Sequence, residues 1–265
     1  MGKRFEGQVA WITGGGSGIG RELALLLGQE GAIVAVSGRR LDRLQEVVQE
    51  LEKRGARAIA VPCDVTREDQ LQDAVGRIVN DLKRLDLVIA NAGFAVSGTI
   101  ESLSAEDWRR QLETNVIGVA MTIRHGLPHL KTSGGRIGII GSVAGMITYP
   151  KAGAYSASKY AVRAIGQTLS MELAGSGVSC TTVHPGYVET EIAQVDNQGK
   201  LNPAWRDRRP RVLLWPADRA ARVILDAVHR RKWEVVFTAH GKVAAFLGKH
   251  TPGLVYHALG WKKGR

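Results

Sequence analysis

Short apolar, β-branched runs alternate along this chain with longer stretches in which apolar residues recur every three or four positions. Val9 to Thr13 is followed by Gly18 to Glu30 and then by Ile33 to Val36. That order predicts a parallel strand–helix–strand unit, because parallel neighbours need a crossover connection. The next stretch places Leu41, Leu44, Val47, Val48 and Leu51 on one helical stripe, with Gly55 as its stop. Ala58 to Val61 reads as the third strand. Thr66 with Asp69 resembles a capping box opening a helix to about Leu82, and Asp86 to Asn91 follows as a strand. Ser104 with Asp107 opens another helix. Gly135 to Ile140, Tyr155 to Leu173 and Val178 to His184 read as strand, helix and strand. A helix from about Ala217 precedes a last strand, Trp233 to Phe237. Seven strands with helices between them predict an α/β fold built on a doubly wound parallel sheet.

The pattern breaks in two places, Glu189 to Pro216 and the tail from Thr238 to Arg265, and both are expected to be irregular. Insertions beyond the carboxyl end of a strand usually carry function, so the first is the candidate substrate loop. No repeat, Ser/Pro linker or low-complexity tract marks a boundary, so residues 1–265 are expected to form a single domain.

Composition narrows the function classes. Apolar residues make up 44% and charged residues 23%, which excludes a disordered or collagenous chain. Thirty-six basic against 25 acidic residues give +11, a charge that steers anionic partners without choosing among them. Two cysteines, Cys63 and Cys180, form no disulfide framework and are expected in the core, which fits a reducing, cytoplasmic compartment. Met1 to Glu6 shows no signal-peptide pattern, and no window approaches the apolar length of a membrane span.

Chemistry begins directly after the first strand, at Thr13-Gly14-Gly15-Gly16-Ser17-Gly18-Ile19-Gly20. Glycines there let backbone approach a pyrophosphate while the helix N-terminus offers unpaired N–H groups. A NAD-binding Rossmann unit places an acid about twenty residues further on to grip the ribose hydroxyls. Here the strand ends Val36-Ser37-Gly38-Arg39-Arg40. With no carboxylate to repel it, a 2′-phosphate can be forked by Arg39, so NADP(H) is favoured over NAD(H). The bland alternative is that Arg39 and Arg40 are solvated helix-start charges.

Tyr155-Ser156-Ala157-Ser158-Lys159 opens a helix, and four residues are one turn, so phenol and ammonium share a face. A nearby cation favours phenolate and so lowers a pKa that is otherwise near ~10. Gly141-Ser142-Val143-Ala144-Gly145 ends the preceding strand, where a hydroxyl can face the same cleft. The ordered set of Thr13 to Gly20, Asn91-Ala92-Gly93, Asn115, Ser142, Tyr155, Lys159 and Pro185-Gly186 resembles the short-chain dehydrogenase/reductase family over about residues 5 to 237.

That resemblance implies a role for each residue. Tyr155 would protonate the carbonyl oxygen while hydride arrives at carbon, and Ser142 would hold that oxygen. Lys159 would depress the phenol pKa and bind the nicotinamide ribose, and Asn115 would hold a water linking Lys159 to solvent. Gly14, Gly16, Ser17, Gly18, Ile19, Gly20, Ser37, Arg39 and Arg40 would line the adenosine and phosphate end. Asp64 and Val65 would contact adenine, Asn91, Ala92 and Gly93 would form the central segment, and Pro185, Gly186, Val188 and Thr190 would fix the carboxamide. Position 90 is Ala where the family often has a second Asn, and Ser17 stands where many NADP-dependent members place Arg or Lys.

Other features are open. His125 and His129 have metal-ligand spacing, but Pro128 and the lack of a nearby carboxylate favour a structural or surface role, and no metal site is expected. His184 reads as packing or local hydrogen bonding. Arg206-Asp207-Arg208-Arg209-Pro210-Arg211 and Arg230-Arg231-Lys232 concentrate positive charge, as solvated faces or, in the first case, as a dock for an anionic substrate tail or carrier. The tail interleaves Phe246, Leu247, Leu254, Val255, Tyr256, Leu259 and Trp261 with Lys242, Lys249, Lys262, Lys263 and Arg265, which suits either an anionic bilayer or a neighbouring subunit. Gly93-Phe94-Ala95-Val96-Ser97-Gly98 with this tail is similar to 3-ketosphinganine and other lipid-ketone reductases. The expectation is therefore an NADPH-dependent reductase of a hydrophobic ketone, a homo-oligomer with no nucleic-acid partner. A 3-oxoacyl-carrier reductase and a non-catalytic NADP-binding sensor or scaffold are the alternatives.

Overall fold

A parallel sheet is covered on both faces, so its strands must be apolar on both sides. All five residues of β1 (Val9–Thr13) are buried. The computed structural model, which describes residues 3–207 and 209–260, shows how the two sides are used. Ala10 and Ile12 face a layer made by Leu23 and Leu27 of α1 (Gly18–Gln29), Leu44 and Leu51 of α2 (Leu41–Lys53), and Ile224 and Val228 of α7 (Ala217–His229). Val9 and Trp11 face Leu71 and Ile78 of α3 (Glu68–Leu82), Ile123 of α5 (Gly118–Ser133) and Val162 of α6 (Gly153–Glu172).

The remaining strands are β2 (Ile33–Gly38), β3 (Ala58–Pro62), β4 (Leu87–Ala90), β5 (Arg136–Ile140), β6 (Ser179–His184) and β7 (Glu234–Val236). They lie in the order β3-β2-β1-β4-β5-β6-β7, all parallel. Between β1 and β4 the order reverses direction, so the loops leaving these strands diverge and open a crevice at the carboxyl edge. The α4 helix (Ala105–Leu112) carries the expected capping box: the Ser104 hydroxyl accepts from the Asp107 N–H and the Asp107 carboxylate accepts from the Ser104 N–H at 3.0 Å.

Three sequence expectations are corrected. Thr66 caps nothing, because its N–H and hydroxyl both donate to Asp64 Oδ1, at 3.0 and 2.9 Å, and α3 starts one residue later behind Arg67. Leu41 sits at the first position of α2, before the stripe turns inward, and is exposed. The tail is helical: Thr238 caps α8 (Ala239–His250) by accepting from the Gly241 N–H, and Pro252 opens α9 (Pro252–Gly260) where a missing N–H costs nothing. Met1, Gly2, Arg208 and Trp261 to Arg265 lie outside the described residues, so the corresponding parts of the leader, basic-patch and tail readings do too.

Candidate active site

The crevice is a cleft of about 670 Å³ running from the glycine loop to the start of α6. Its first wall is the segment Thr13 to Gly18. Gly14 has φ +66°, and a Cβ there would stand 2.9 Å from Ala92 Cα, so only glycine lets the β1 and β4 loops approach this closely. Asn91 holds the two together, its Nδ2 donating to Thr13 O at 2.9 Å and Gly14 O at 3.1 Å. The N-terminus of α1 has no side-chain cap from Ser17 and no acid in its first turn, so its free N–H groups face the cleft unneutralised. A pyrophosphate fits that cradle on both charge and space.

At the adenosine end, Arg39 donates to Gly199 O at 3.3 Å, while Arg40 donates to Ser17 Oγ at 3.2 Å and Glu191 Oε2 at 3.0 Å. Arg40 thus brings a cation to the loop position where the sequence has only Ser17. Gly14, Gly16, Ser17, Gly18, Ile19, Arg39, Arg40, Asp64 and Val65 all line the cleft, as do Asn91, Ala92, Gly93, Pro185, Gly186, Val188 and Thr190. Two of the expected cofactor residues do not line it. Ser37 is fully buried, and its Oγ accepts from Trp11 Nε1 at 2.8 Å because β2 turns that side chain toward β1. Gly20 packs against Gly14 O in the interior of α1.

At the other end, Ser142, Tyr155 and Lys159 meet on the wall formed by the end of β5 and the first turns of α6. Lys159 is 6% exposed, donates to Ile140 O at 2.9 Å, and burial brings its ammonium down to about 8. Its Nζ stands 5.8 Å from the Tyr155 ring centroid. The expected depression of the phenol pKa is not found among the protein's own groups. Burial raises Tyr155 above 10, with the Ser142 hydroxyl and the Arg209 charge only partly offsetting it. The lysine is turned to the Ile140 carbonyl, and the phenol stays protonated at neutral pH.

Asn115 does not line the cleft but stands behind it. It is fully buried in a π-turn, Glu113–Ile117, that interrupts the helix between α4 and α5. Such insertions mark functional sites in many helices. Its Nδ2 donates to Phe94 O at 3.0 Å and Ser158 Oγ at 3.1 Å, and its Oδ1 accepts from Phe94 N at 3.1 Å. Both amide protons are therefore committed, which leaves only acceptor oxygens to hold a water.

Behind Ser142, His184 makes the local hydrogen bonds expected of it, with partners the sequence did not point to. His184 is fully buried, with Nδ1 3.1 Å from Ser142 O and Nε2 3.0 Å from Glu234 Oε1. Burial alone would raise the Glu234 carboxyl, but hydrogen bonds with His184 and Arg163 outweigh it and bring it to about 2. These residues come from α6, β6 and β7, so no linear motif connects them. Missed were Ile192, Val195 and Leu201, which with Phe94 line the cleft with apolar groups, while Arg209 of the basic segment also lines it, forked onto Asp207 at 2.9 and 2.6 Å. Cys63 and Cys180 are buried as expected, and burial pushes both thiols up to about 12. His125 does have a carboxylate beside it, Glu68 at 3.2 Å, contributed by a distant part of the sequence.

The family model described as short chain dehydrogenase matches residues 8–201. A cyclohexanol dehydrogenase from an Acinetobacter species is 36% identical over 216 residues, covering 79% of this chain and 86% of that protein. The crystal structure of a short chain dehydrogenase/reductase from Burkholderia phymatum in complex with NAD superposes with a TM-score of 0.85 at 27% identity, covering 95% of this chain and 96% of that one. The structure of a short chain dehydrogenase from Burkholderia cenocepacia in complex with NADP gives 0.80 at 28% identity, covering 90% and 99%.

Proposed function

Since the chain belongs to the short chain dehydrogenase family and is an NAD(P)-dependent oxidoreductase, we propose that it works as an NADPH-dependent reductase of lipophilic ketones. The observation that carries this reading is the convergence of Ser142, Tyr155 and Lys159 on one cleft whose other end is a phosphate cradle flanked by Arg39 and Arg40. Bound nicotinamide supplies hydride, two electrons and a proton, to the carbonyl carbon. Tyr155, protonated at neutral pH, gives its proton to the carbonyl oxygen, so ketone becomes alcohol. Ser142 holds that oxygen. Its hydroxyl accepts from the Ala144 N–H at 3.1 Å, which leaves the O–H free to donate to substrate. Lys159 keeps a cation beside the phenol as negative charge develops and passes a proton back from solvent. Asn115 anchors the relay water through an acceptor oxygen.

Three further points belong to this reading. Phe94, Ile192, Val195 and Leu201 suit an apolar substrate body. The cyclohexanol dehydrogenase among the relatives supports a cyclic ketone or alcohol as substrate. One seven-stranded sheet fits a single catalytic domain, and two free, buried cysteines fit a reducing compartment such as the cytoplasm.

The choice of NADPH rests on Arg39 and Arg40. A charge-assisted hydrogen bond to a phosphate contributes about 1.5–3 kcal/mol, so Arg39→Ala and Arg40→Ala should each raise KM for NADPH by roughly 10- to 100-fold and leave KM for NADH nearly unchanged. Steady-state kinetics with both cofactors checks this. Equal losses with NADH would overturn the assignment.

A further inference from the structure

The α8 helix has two unlike sides. Its inner side is locked to the substrate end of the cleft: Tyr187 N donates to His240 Nε2 at 3.0 Å, and Gly248 lies so close to Met146 O that no larger residue fits. Its outer side carries Val243, Phe246, Leu247 and His250 at i, i+3, i+4 and i+7, which is one continuous stripe. Val243 and Phe246 are each 60% exposed, and Lys242 and Lys249 flank them. The α9 helix continues the surface with Leu254 at 66% and Tyr256 at 74% exposed.

We propose that the outer face of α8 and α9 docks on a phospholipid bilayer with anionic headgroups. Charge complementarity carries this. From residue 235 to 265 the sequence has no acid, against Lys242, Lys249, Lys262, Lys263 and Arg265. The nearest acid before it, Glu234, is half-buried and held by Arg163 and His184. The stripe's positive charge therefore has no carboxylate within its own segment, and apolar side chains standing out between cations match a headgroup layer over acyl chains. A second copy of this chain fits less well. A two-fold contact would bring this face against its own copy, lysines and all, and a net charge of +11 adds to that repulsion. The exposed aliphatic groups of Val243 and Leu247 add nothing to a nucleic-acid contact. Because α8 also walls the segment after Ser142, docking would hold the substrate mouth at the lipid surface. The inference stands on this face alone and does not depend on which cofactor or ketone the cleft takes.

The test is sedimentation of the full chain with vesicles of neutral phosphatidylcholine, alone or mixed with phosphatidylserine. Binding is expected only to the anionic vesicles, and it should be lost in about 1 M salt, where screening shortens to about 3 Å. Lys242→Glu with Lys249→Glu, and separately Val243→Glu with Phe246→Glu, should each weaken it by at least about tenfold. Thermal midpoint and NADPH binding, measured on each variant, establish that it is folded. Three results would overturn the proposal: no binding of the wild-type chain to anionic vesicles, undiminished binding by both folded variants, or a variant assembly smaller than that of the wild type by gel filtration, which would mark the face as a contact between copies.

Discussion

Lys159 is the residue where function and stability oppose each other most clearly. Its ammonium is buried with one carbonyl for company, and burial lowers it from 10.5 to about 8. At neutral pH it is charged in both folded and unfolded chains, so the whole desolvation cost, about 3 kcal/mol, is borne by the folded state. Lys159→Met should therefore raise stability by up to that amount while activity collapses, as urea unfolding beside turnover will register. The sign also fixes a pH window. Between about 8 and 10.5 the unfolded chain binds more protons than the folded one, so wild-type stability rises with pH there, and the methionine variant lacks that rise. Much of the residue-level picture was legible in the sequence, because Tyr155 and Lys159 fall one turn apart and the glycines follow a strand. Ser37 was not, since strand alternation decides which face a side chain takes, and that face turned out to be Trp11.

Elements carry the site by joining parts that are remote in sequence. The β7 strand is short, yet its Glu234 ties α6 through Arg163 and β6 through His184. A carboxyl at about 2 in the folded chain against 4.5 unfolded contributes about 3 kcal/mol above pH 4.5, lost as pH falls toward 2. Glu234→Gln should lower stability by about that much at neutral pH and flatten the acid limb of a stability–pH curve. An unchanged acid limb would show that Arg163 and His184 do not act through this carboxylate. Strands and helices of the sheet were readable because their periodicity is strong. The capping box proposed at Thr66 failed because Asp64, two residues earlier, offers that threonine a nearer acceptor. The tail helices were missed because apolar residues almost encircle α9 and blur its period. Their cap and their proline were nonetheless visible as Thr238 and Pro252.

At the scale of the whole molecule, strand order explains why the site exists where it does. The β1–β4 reversal opens the crevice, the glycine loop supplies one end, and the β5–α6 junction supplies the other. The segment 191–201 closes over it and brings Gly199 against Arg39. That irregular stretch was recognisable only as an insertion, because its few backbone bridges obey no period. The central claim, that Tyr155 is the acid of a ketone reductase, is tested most directly by following NADPH oxidation with cyclic and long-chain ketones in the wild-type chain and in Tyr155→Phe. The account predicts turnover that grows with substrate apolarity. In the variant it should fall by at least about 100-fold while NADPH binds as before, since a lost general acid costs at least that. Turnover retained in the folded, cofactor-binding variant would contradict it.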